Sequence, residues 1–252
     1  MIVVFFIIFS VVIALSLYLN RYYEIPVMTY HAIGSSSVNG SAEAVTLEAF
    51  RKQMAAIKKL GFRPISLYEY CLWLDNRHLS LHKPVLVTFD DGYKDNLAAV
   101  PILRALGFPA VMFVVPGWLG REGYMSAEDI KRISAGDRID VNSHTLNHCN
   151  LGLVHRDQAA GEIQESRRIL EDTLNQSVRA IAYPVGGFTR EVLVMAKAAG
   201  YDCAFTTNRG LDRKFQRYAI RRIKITPRDN AFTLFFKLSG AYNLFRHPRK
   251  PF

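Results

Sequence analysis

Val85-Leu-Val-Thr-Phe-Asp-Asp-Gly-Tyr93 is the stretch on which the fold and the chemistry of this chain depend. Its apolar and β-branched residues, bounded by Pro84 and Gly92, are typical of a buried strand. Such a strand would carry Asp90 and Asp91 at its C-terminal end. Because neighbouring carboxylates repel, a site that holds both usually separates their roles, so that one binds a cation and the other acts as a base. A bare Asp-Asp-Gly is more often an ordinary turn, so a second signal is needed.

The second signal is a short apolar run, farther along the chain, that ends in two histidines. It reads Ile139-Asp-Val-Asn-Ser-His-Thr-Leu-Asn-His148. The i, i+4 spacing of His144 and His148 predicts that both imidazoles lie on one side of a helical turn, as two ligands of one divalent ion require. With Asp91 they would form a face of two histidines and one carboxylate, which leaves other metal positions for water and substrate. A lone His-x-x-x-His usually has a structural explanation, but paired with Asp-Asp it indicates a metal centre.

These motifs resemble those of the polysaccharide deacetylases with a NodB-homology domain, carbohydrate esterase family 4. Thr88-Phe-Asp-Asp-Gly-Tyr93 resembles the first family motif, Ser143-His-Thr-Leu-Asn-His148 the second and Tyr183-Pro-Val-Gly186 the third. The resemblance covers residues 25–226 and implies an α/β fold, a distorted (β/α) barrel. It also implies metal-dependent removal of N- or O-acetyl groups from a glycan. Alternation of predicted strands and helices independently favours an α/β barrel over a sandwich.

The first strand resembles a permuted branch of the family that includes the poly-β-1,6-N-acetylglucosamine deacetylases. Ordinary members carry the catalytic acid in a Leu-His motif near the carboxyl end, and this chain has no such motif after residue 186. The permuted branch places a Tyr-His or Phe-His strand at the start instead, and Val27-Met-Thr-Tyr-His31 resembles it. The resemblance therefore makes His31 the candidate acid, with Asp90 as the base. The Gly/Ser-rich loop at 34–41 is a candidate lid.

The third motif predicts an oxyanion-binding segment. Glycines just beyond a strand let backbone approach a ligand closely, and in the family the amide after the motif's proline helps to hold the acetyl oxygen. Tyr183, Pro184 and Val185 inherit these substrate positions. The family's usual Arg, two residues before the proline, is Ala182 here. Arg222, in a later strand, is the candidate substitute, as in many permuted members.

Trp118 is a candidate for sugar binding. It lies in the loop Pro116-Gly-Trp-Leu-Gly120, which is expected at the same end of the barrel as Asp90. Its indole could stack on a sugar ring, and ordinary packing explains a tryptophan equally well. For the metal held by Asp91, His144 and His148, zinc is expected, with cobalt and nickel as alternatives.

Residues 1–20 are predicted to form a signal anchor or transmembrane helix. Met1 to Leu19 carry no charge and are almost wholly apolar, which is long enough to cross a bilayer. Because no basic stretch precedes this segment and no good cleavage site follows, an uncleaved anchor is favoured. Arg21 weakly opposes export of the domain, whereas a glycan substrate favours it. We therefore expect the deacetylase domain, residues 21–230, on the periplasmic or extracellular side of the membrane.

The charge of the chain indicates an anionic neighbourhood. Its 32 basic and 22 acidic residues give a net charge of +10, which suits a membrane surface or an acidic cell-wall polymer, and a solvated basic face is the default explanation. Nucleic acid is not expected, because the sequence lacks zinc-finger spacing, a basic heptad region and an interleaved aromatic RNA-binding motif. Residues 231–252 form a basic aromatic C-terminal tail that is expected to cover a barrel face or to lie on the membrane.

The sequence thus predicts a metal-dependent hydrolase that removes N-acetyl groups from a cell-surface or exported polysaccharide of the N-acetylglucosamine type. The nearest alternative is the same chemistry on peptidoglycan, chitin oligosaccharides or an O-acetylated xylan. A member of the fold that binds glycan without turnover is a second alternative, although the complete set of candidate site residues argues against it. A membrane-associated partner in a polysaccharide export system is a third. The oligomeric state is not predicted.

Overall fold

Parallel strands surrounded by helices form the fold in the computed structural model, which describes residues 9, 24–34, 44–76, 81–136, 138–207, 215–240, 242 and 249–251. Within that part of the chain, no helix is both long enough and apolar enough to cross a membrane. The predicted transmembrane helix at 1–20 lies outside the described residues, apart from position 9. The candidate lid at 34–41 also lies outside them, apart from Gly34.

Helices alternate with strands along the chain. The strands are β1 (Val27–Tyr30), β2 (Arg63–Pro64), β3 (Pro84–Phe89), β4 (Ala110–Val114), β5 (Ile139–Ser143), β6 (Ala180–Ala182), β7 (Cys203–Thr206), β8 (Ile220–Arg221) and β9 (Ile223–Lys224). The α-helices are α1 (Leu47–Lys59), α2 (Leu67–Asp75), α3 (Val100–Leu106), α4 (Ala127–Gly136), α5 (Arg156–Leu174), α6 (Arg190–Ala198) and α7 (Ala231–Leu238). Short 3-10 helices occur at Lys94–Ala99, Pro116–Trp118 and Pro184–Gly186.

The sheet is parallel and nearly closed. Its strand order is β8-β7-β6-β5-β4-β3-β1-β9, and β2 pairs with β3 outside this path. The last two strands are halves of one segment that is interrupted at Arg222: Ile220 pairs with Phe205 of β7, whereas Ile223 pairs with Met28 of β1. One segment therefore contacts both edges of the sheet. The predicted α/β barrel is confirmed, and all strands direct their carboxyl ends to one mouth.

Capping residues in the sequence mark where the helices begin and end. The hydroxyl of Thr46 accepts a hydrogen bond of 3.2 Å from the amide of Ala49 at the start of α1. Ser66 and Glu69 form a reciprocal capping box at the start of α2. Gly107 ends α3 with a left-handed φ of 68°, a conformation that suits a residue without a Cβ.

Two apolar layers hold the barrel together. Alternate strand residues that include Leu86, Phe113 and Phe205 form a layer with Tyr70 and Trp73 of α2. Since α2 packs against one alternating set of strand residues, it closes the end of the barrel opposite the mouth. The other alternating set packs outward against the surrounding helices, and this larger layer includes Met28, Val87, Met112, Ile163 and Leu234.

The C-terminal part of the fold is tied to the barrel by a buried amide. The Gln53 side chain on α1 donates to the carbonyls of Thr226, at 2.8 Å, and Asp229, at 3.1 Å. Leu234 and Leu238 of α7 are buried in the core. The first eight residues of the predicted tail therefore form a helix that covers the barrel together with α1.

Candidate active site

The candidate site lies at the mouth, where the carboxyl ends of neighbouring strands meet. Asp90 and Asp91 follow β3, His31 follows β1, and His144 follows β5. Asp91 and the next residue, Gly92, have left-handed φ values of 71° and 74°. This tight turn directs the chain away from β3 at the point where both carboxylates emerge. A side chain at position 92 would press on Val114, since an added Cβ would lie 3.1 Å from its side chain.

The three predicted ligands converge on one point. The Nε2 atoms of His144 and His148 lie 3.4 Å and 3.3 Å from the Oδ1 atom of Asp91. One ligand atom from each residue fits within a mutual distance of 4.8 Å. The sequence therefore identified a group of residues that the fold brings together.

The protonation pattern of this group fits a cation. The Nδ1 atom of His144 lies 2.8 Å from the carbonyl of Ala182, which can only accept, so this nitrogen carries the proton of the neutral ring. Its Nε2 then presents a lone pair to the Asp91 carboxylate. The Oδ1 atom of Asp91 is buried and has no hydrogen-bond partner among the described residues. Lone pairs that face one another without a proton are satisfied by a divalent metal ion.

The pKa values of Asp91 and His144 also indicate that this group favours a positive charge at its centre. Burial raises the pKa of Asp91, but the adjacent rings of His144 and His148 outweigh it and hold that pKa far below its usual range. Burial lowers the pKa of His144, but Asp90 and Asp91 outweigh it and raise that pKa above its usual value. A proton on the His144 ring would thus compensate the negative charge of the two carboxylates, as a bound metal ion would.

The backbone between the two histidines differs from the predicted helical turn, and that prediction is wrong. Thr145 and His148 both have left-handed φ values, 65° and 61°. The amide of Thr145 donates to the hydroxyl of Ser143 at 3.1 Å, and the amide of Asn147 donates to the carboxylate of Glu162 at 2.7 Å. Because side chains replace the backbone acceptors of a helix, the segment is a loop that nevertheless brings both rings together.

Glu162 is a supporting residue that the sequence reasoning missed. It lies on the buried face of α5 and accepts from the amide and the side-chain nitrogen of Asn147, at 2.7 Å and 2.9 Å. The thiol of Cys149 donates to the same carboxylate at 3.3 Å. These bonds flank His148 on both sides in sequence. The available signal was an acidic residue at a core position of a helix, where a carboxylate needs partners.

Asp90 is held by Arg222. The two nitrogens Nη1 and Nη2 of Arg222 each lie 2.6 Å from one carboxylate oxygen of Asp90. Both side chains are buried, and Arg222 also donates to the hydroxyl of Thr88 at 3.2 Å. Burial raises the pKa of Asp90, but the guanidinium, His144 and His31 outweigh it and keep that pKa below its usual value. Asp90 is therefore a fixed, ionised carboxylate at the mouth.

His31 and Trp118 lie beside this centre. His31 is half-buried and follows Tyr30, whose β1 position pairs with Phe89 of β3. The His31 ring is one of the causes of the lowered pKa of both Asp90 and Asp91. The Trp118 ring packs against His148, with ring centroids 5.0 Å apart and an angle of 36°. Trp118 thus contacts a candidate ligand.

A shared loop contact positions Trp118. The amide of Gly117 donates to the carbonyl of Leu146 at 2.9 Å. An added Cβ at Gly117 would lie 2.7 Å from that carbonyl and 2.6 Å from the side chain of Asn147. Only glycine allows this approach, so the Trp118 loop rests directly on the loop that carries both histidines.

The third motif has a strained backbone at its centre. Val185 has a φ of 49° and a ψ of 11°, which is rare for a β-branched residue, and its side chain is exposed. Pro184 is buried, and Tyr183 is buried with its hydroxyl donating to the carbonyl of Tyr218 at 3.0 Å. The Tyr183 side chain therefore packs in the core, and Val185 is the member of the motif that faces outward.

Comparison with known proteins agrees with this description. A sequence model of the polysaccharide deacetylase family matches residues 80–204. The Bacillus subtilis protein YxkH, named for the same family, is 30% identical over 206 residues, which cover 81% of this chain and 72% of that protein. The poly-β-1,6-N-acetyl-D-glucosamine N-deacetylase of Staphylococcus aureus is 25% identical over 216 residues, which cover 79% of this chain and 72% of that protein.

A solved structure has the same fold. The Streptococcus pyogenes deacetylase PplD, in complex with acetate, superposes with a TM-score of 0.79 at 28% identity, over 86% of this chain and 98% of that chain. The chain therefore belongs to the polysaccharide deacetylase family, and its barrel is of the NodB-homology type. The matched residues 80–204 contain Asp90, Asp91, His144 and His148.

Proposed function

We propose that this protein is a metal-dependent deacetylase that removes N-acetyl groups from a polysaccharide of the N-acetylglucosamine type. The observation that carries the proposal is the convergence of His144 and His148 on the unpartnered, buried oxygen of Asp91. The polymer is supported by the Staphylococcus aureus relative, whose name gives poly-β-1,6-N-acetyl-D-glucosamine as its substrate.

Asp91, His144 and His148 would hold the metal ion. Zinc is the metal we propose, because imidazole nitrogens and a carboxylate oxygen are among its usual ligands, and cobalt or nickel can bind the same atoms. When bound, the ion supplies an acidified water molecule and polarises the acetyl carbonyl. The remaining work belongs to the side chains and backbone of this chain.

Asp90 acts as the base and His31 as the acid. The Oδ2 atom of Asp90 lies 4.0 Å from the Nε2 of His144, so this oxygen faces the candidate metal position. The Arg222 guanidinium fixes the carboxylate and keeps it ionised, ready to accept the proton of the attacking water. His31, at the end of the neighbouring strand, donates a proton to the departing amine.

The backbone amide of Val185 donates to the acetyl oxygen as negative charge develops on it. The unusual φ of 49° at Val185 supports this assignment, because strained backbone is concentrated at sites where a group must be held for function. Trp118, beside His148, provides an aromatic surface for the sugar ring.

We further propose that the domain works outside the cytoplasm, on the periplasmic or extracellular side, and is tethered to the membrane by residues 1–20. The uncharged, apolar sequence from Met1 to Leu19 supports the tether. A surface polysaccharide as substrate supports the orientation.

Acetate release by the full-length protein in detergent tests the proposal. The substrates are oligomers of β-1,6-linked N-acetylglucosamine, chitin oligosaccharides, peptidoglycan and an O-acetylated xylan, each with and without a chelator. We expect release from the β-1,6-linked oligomer that stops with the chelator and returns with zinc. Stoichiometric metal without acetate release from any of the four would contradict catalysis, and preference for another glycan would contradict the substrate.

A further inference from the structure

The excess of positive over negative charge lies in the C-terminal part of the chain. Residues 207–252 contain twelve Lys and Arg but only two Asp and Glu, so this segment accounts for the whole net charge of +10. The 206 residues before it carry twenty of each sign. An excess of cations in one segment favours contact of that segment with an anionic partner.

The same part of the chain carries an exposed aromatic face on α7. Phe232, Phe235 and Phe236 are 79%, 47% and 38% exposed, whereas Leu234 and Leu238 on the opposite side are buried in the core. The i, i+3 and i+4 spacing of the three phenylalanines places their rings on one side of the helix. Large apolar side chains grouped in this manner on a surface indicate an interaction site.

Exposed basic side chains precede this face in the chain. Lys224 and Arg228, in the segment that leads into α7, are exposed. Among the described residues from 215 onward, the sole carboxylate is that of Asp229. It is buried, and the Nζ atom of Lys237 lies 2.8 Å from it. From this segment, an approaching anionic surface would therefore meet cations and phenyl rings, and the one carboxylate among its described residues is buried and paired.

We propose that the face formed by Phe232, Phe235 and Phe236 docks on an anionic lipid bilayer. The phenyl rings enter the boundary between headgroups and acyl chains, and Lys224 and Arg228 contact lipid phosphates. A soluble acidic polymer would satisfy the cations but leave the rings in water. A second copy of this chain would bring a like charge to the same face, which opposes association.

Docking of this face would place the catalytic mouth close to the bilayer. The carbonyl of Asp229, one residue before the cap of α7, accepts from Gln53 at 3.1 Å, and Gln53 accepts from the hydroxyl of Tyr30 at 3.0 Å. Tyr30 is the last residue of β1, next to His31. The first turn of α7, with Phe232, therefore lies at the mouth end of the barrel. This inference concerns the orientation of the domain and holds whatever its substrate.

Quenching of an introduced tryptophan by brominated lipid tests the inference. The full chain is reconstituted into vesicles of phosphatidylglycerol and phosphatidylcholine, or of phosphatidylcholine alone, with and without bromine on the acyl chains. Phe232→Trp places the probe on the proposed face. Val194→Trp, at a position on α6 that is 68% exposed, is the matched control. Wild-type emission from Trp73 and Trp118 is subtracted from both.

In anionic vesicles, we expect brominated lipid to remove about half or more of the emission added by Phe232→Trp, because an interfacial ring lies within the depth of the acyl bromines. The emission added by Val194→Trp should be unchanged. A tether at residues 1–20 brings both probes near the vesicle, so the difference reports orientation. Equal quenching at the two positions, no quenching at position 232, or equal quenching in both lipid mixtures would overturn the proposal.

Discussion

Arg222 and Asp90, separated by 132 positions in sequence, form a buried ion pair with two hydrogen bonds of 2.6 Å. The pair depends on closure of the barrel, because Arg222 lies between β8, which joins one edge of the sheet, and β9, which joins the other. The segment that closes the barrel thus also holds Asp90 in place at the mouth.

Replacement of Arg222 by lysine tests the role of the pair. Lysine keeps the charge but cannot bind both carboxylate oxygens in one plane. We expect kcat to fall by about 10-fold to 100-fold, with the metal content unchanged. Arg221→Lys is the matched control, since the neighbouring Arg221 reaches Glu24 instead, at 3.6 Å. An unchanged kcat in Arg222→Lys would show that Asp90 does not depend on the guanidinium.

Removal of the His148 imidazole tests the metal centre. Its side chain is 27% exposed, so His148→Ala should fold. With one of three protein ligands lost, we expect purified protein to contain much less than one metal ion per chain, as measured by elemental analysis. His82→Ala, at an exposed position, should retain its metal. Stoichiometric metal in His148→Ala would remove this residue from the ligand set.

Glu162→Gln tests whether α5 positions the ligand loop. Glutamine cannot accept from the backbone and the side chain of Asn147 with two equivalent oxygens, so the loop should loosen. Supporting partners of metal ligands typically contribute about 10-fold to 100-fold in affinity, and we expect a loss of zinc affinity in that range by competition with a chelator. Glu165→Gln, exposed on the same helix, is the control. Lower thermal stability with normal zinc affinity would indicate a purely structural role.

Val185→Gly tests the strained third motif. Glycine adopts a φ of 49° without steric cost, so relief of strain should stabilise the protein by about 1 kcal/mol, while acetate release persists because the amide is retained. Gly186→Ala should destabilise the protein, since the added Cβ would collide with the hydroxyl of Thr207. A large loss of activity in Val185→Gly with intact stability would indicate that the valine side chain, rather than the amide, contacts the substrate.

Zinc affinity should depend on pH through His144. Burial lowers its pKa, but Asp90 and Asp91 outweigh burial and raise the pKa above the ordinary value. Since metal binding requires the neutral ring, affinity should fall by about tenfold per pH unit below this raised pKa and level off above it.

The same raised pKa affects folding stability. In the metal-free protein, the protonated ring stabilises the fold at low pH, and this contribution is lost as pH rises through the raised pKa. Zinc titration calorimetry across pH checks the affinity, and denaturant unfolding of the metal-free protein across pH checks the stability. A flat pH profile in either measurement would contradict the corresponding prediction.

Sequence reasoning succeeded where chemistry and spacing lie within one short segment. The buried strand before Asp90 and the pair of histidines follow from apolar runs and turn residues. The conformation of the loop from His144 to His148 did not follow, because its backbone bonds go to Glu162 on a distant helix, and a local pattern contains no such partner. The i, i+4 spacing thus identified the two histidines correctly, although they lie on a loop and not on the helical turn that the spacing predicted.

The pairing of Arg222 with Asp90 could not be predicted from the local sequence pattern. A strand pattern around Arg222 gives no information about which edge of the sheet it joins, and here the segment joins both. The resemblance to permuted family members proposed this arginine, and the geometry places it on Asp90. The structural role of Tyr183 was also hidden, because an aromatic residue beside a glycine turn suits a core and a binding site equally well.

The most direct test of the metal centre is anomalous diffraction at the zinc edge from crystals of the full chain grown with zinc. We expect one strong peak at the mouth, about 2.0–2.2 Å from the Nε2 atoms of His144 and His148 and from a carboxylate oxygen of Asp91. The peak should be absent in Asp91→Ala. A zinc ion held by other residues, or none at the mouth of the wild-type barrel, would contradict the assignment of Asp91, His144 and His148 as its ligands.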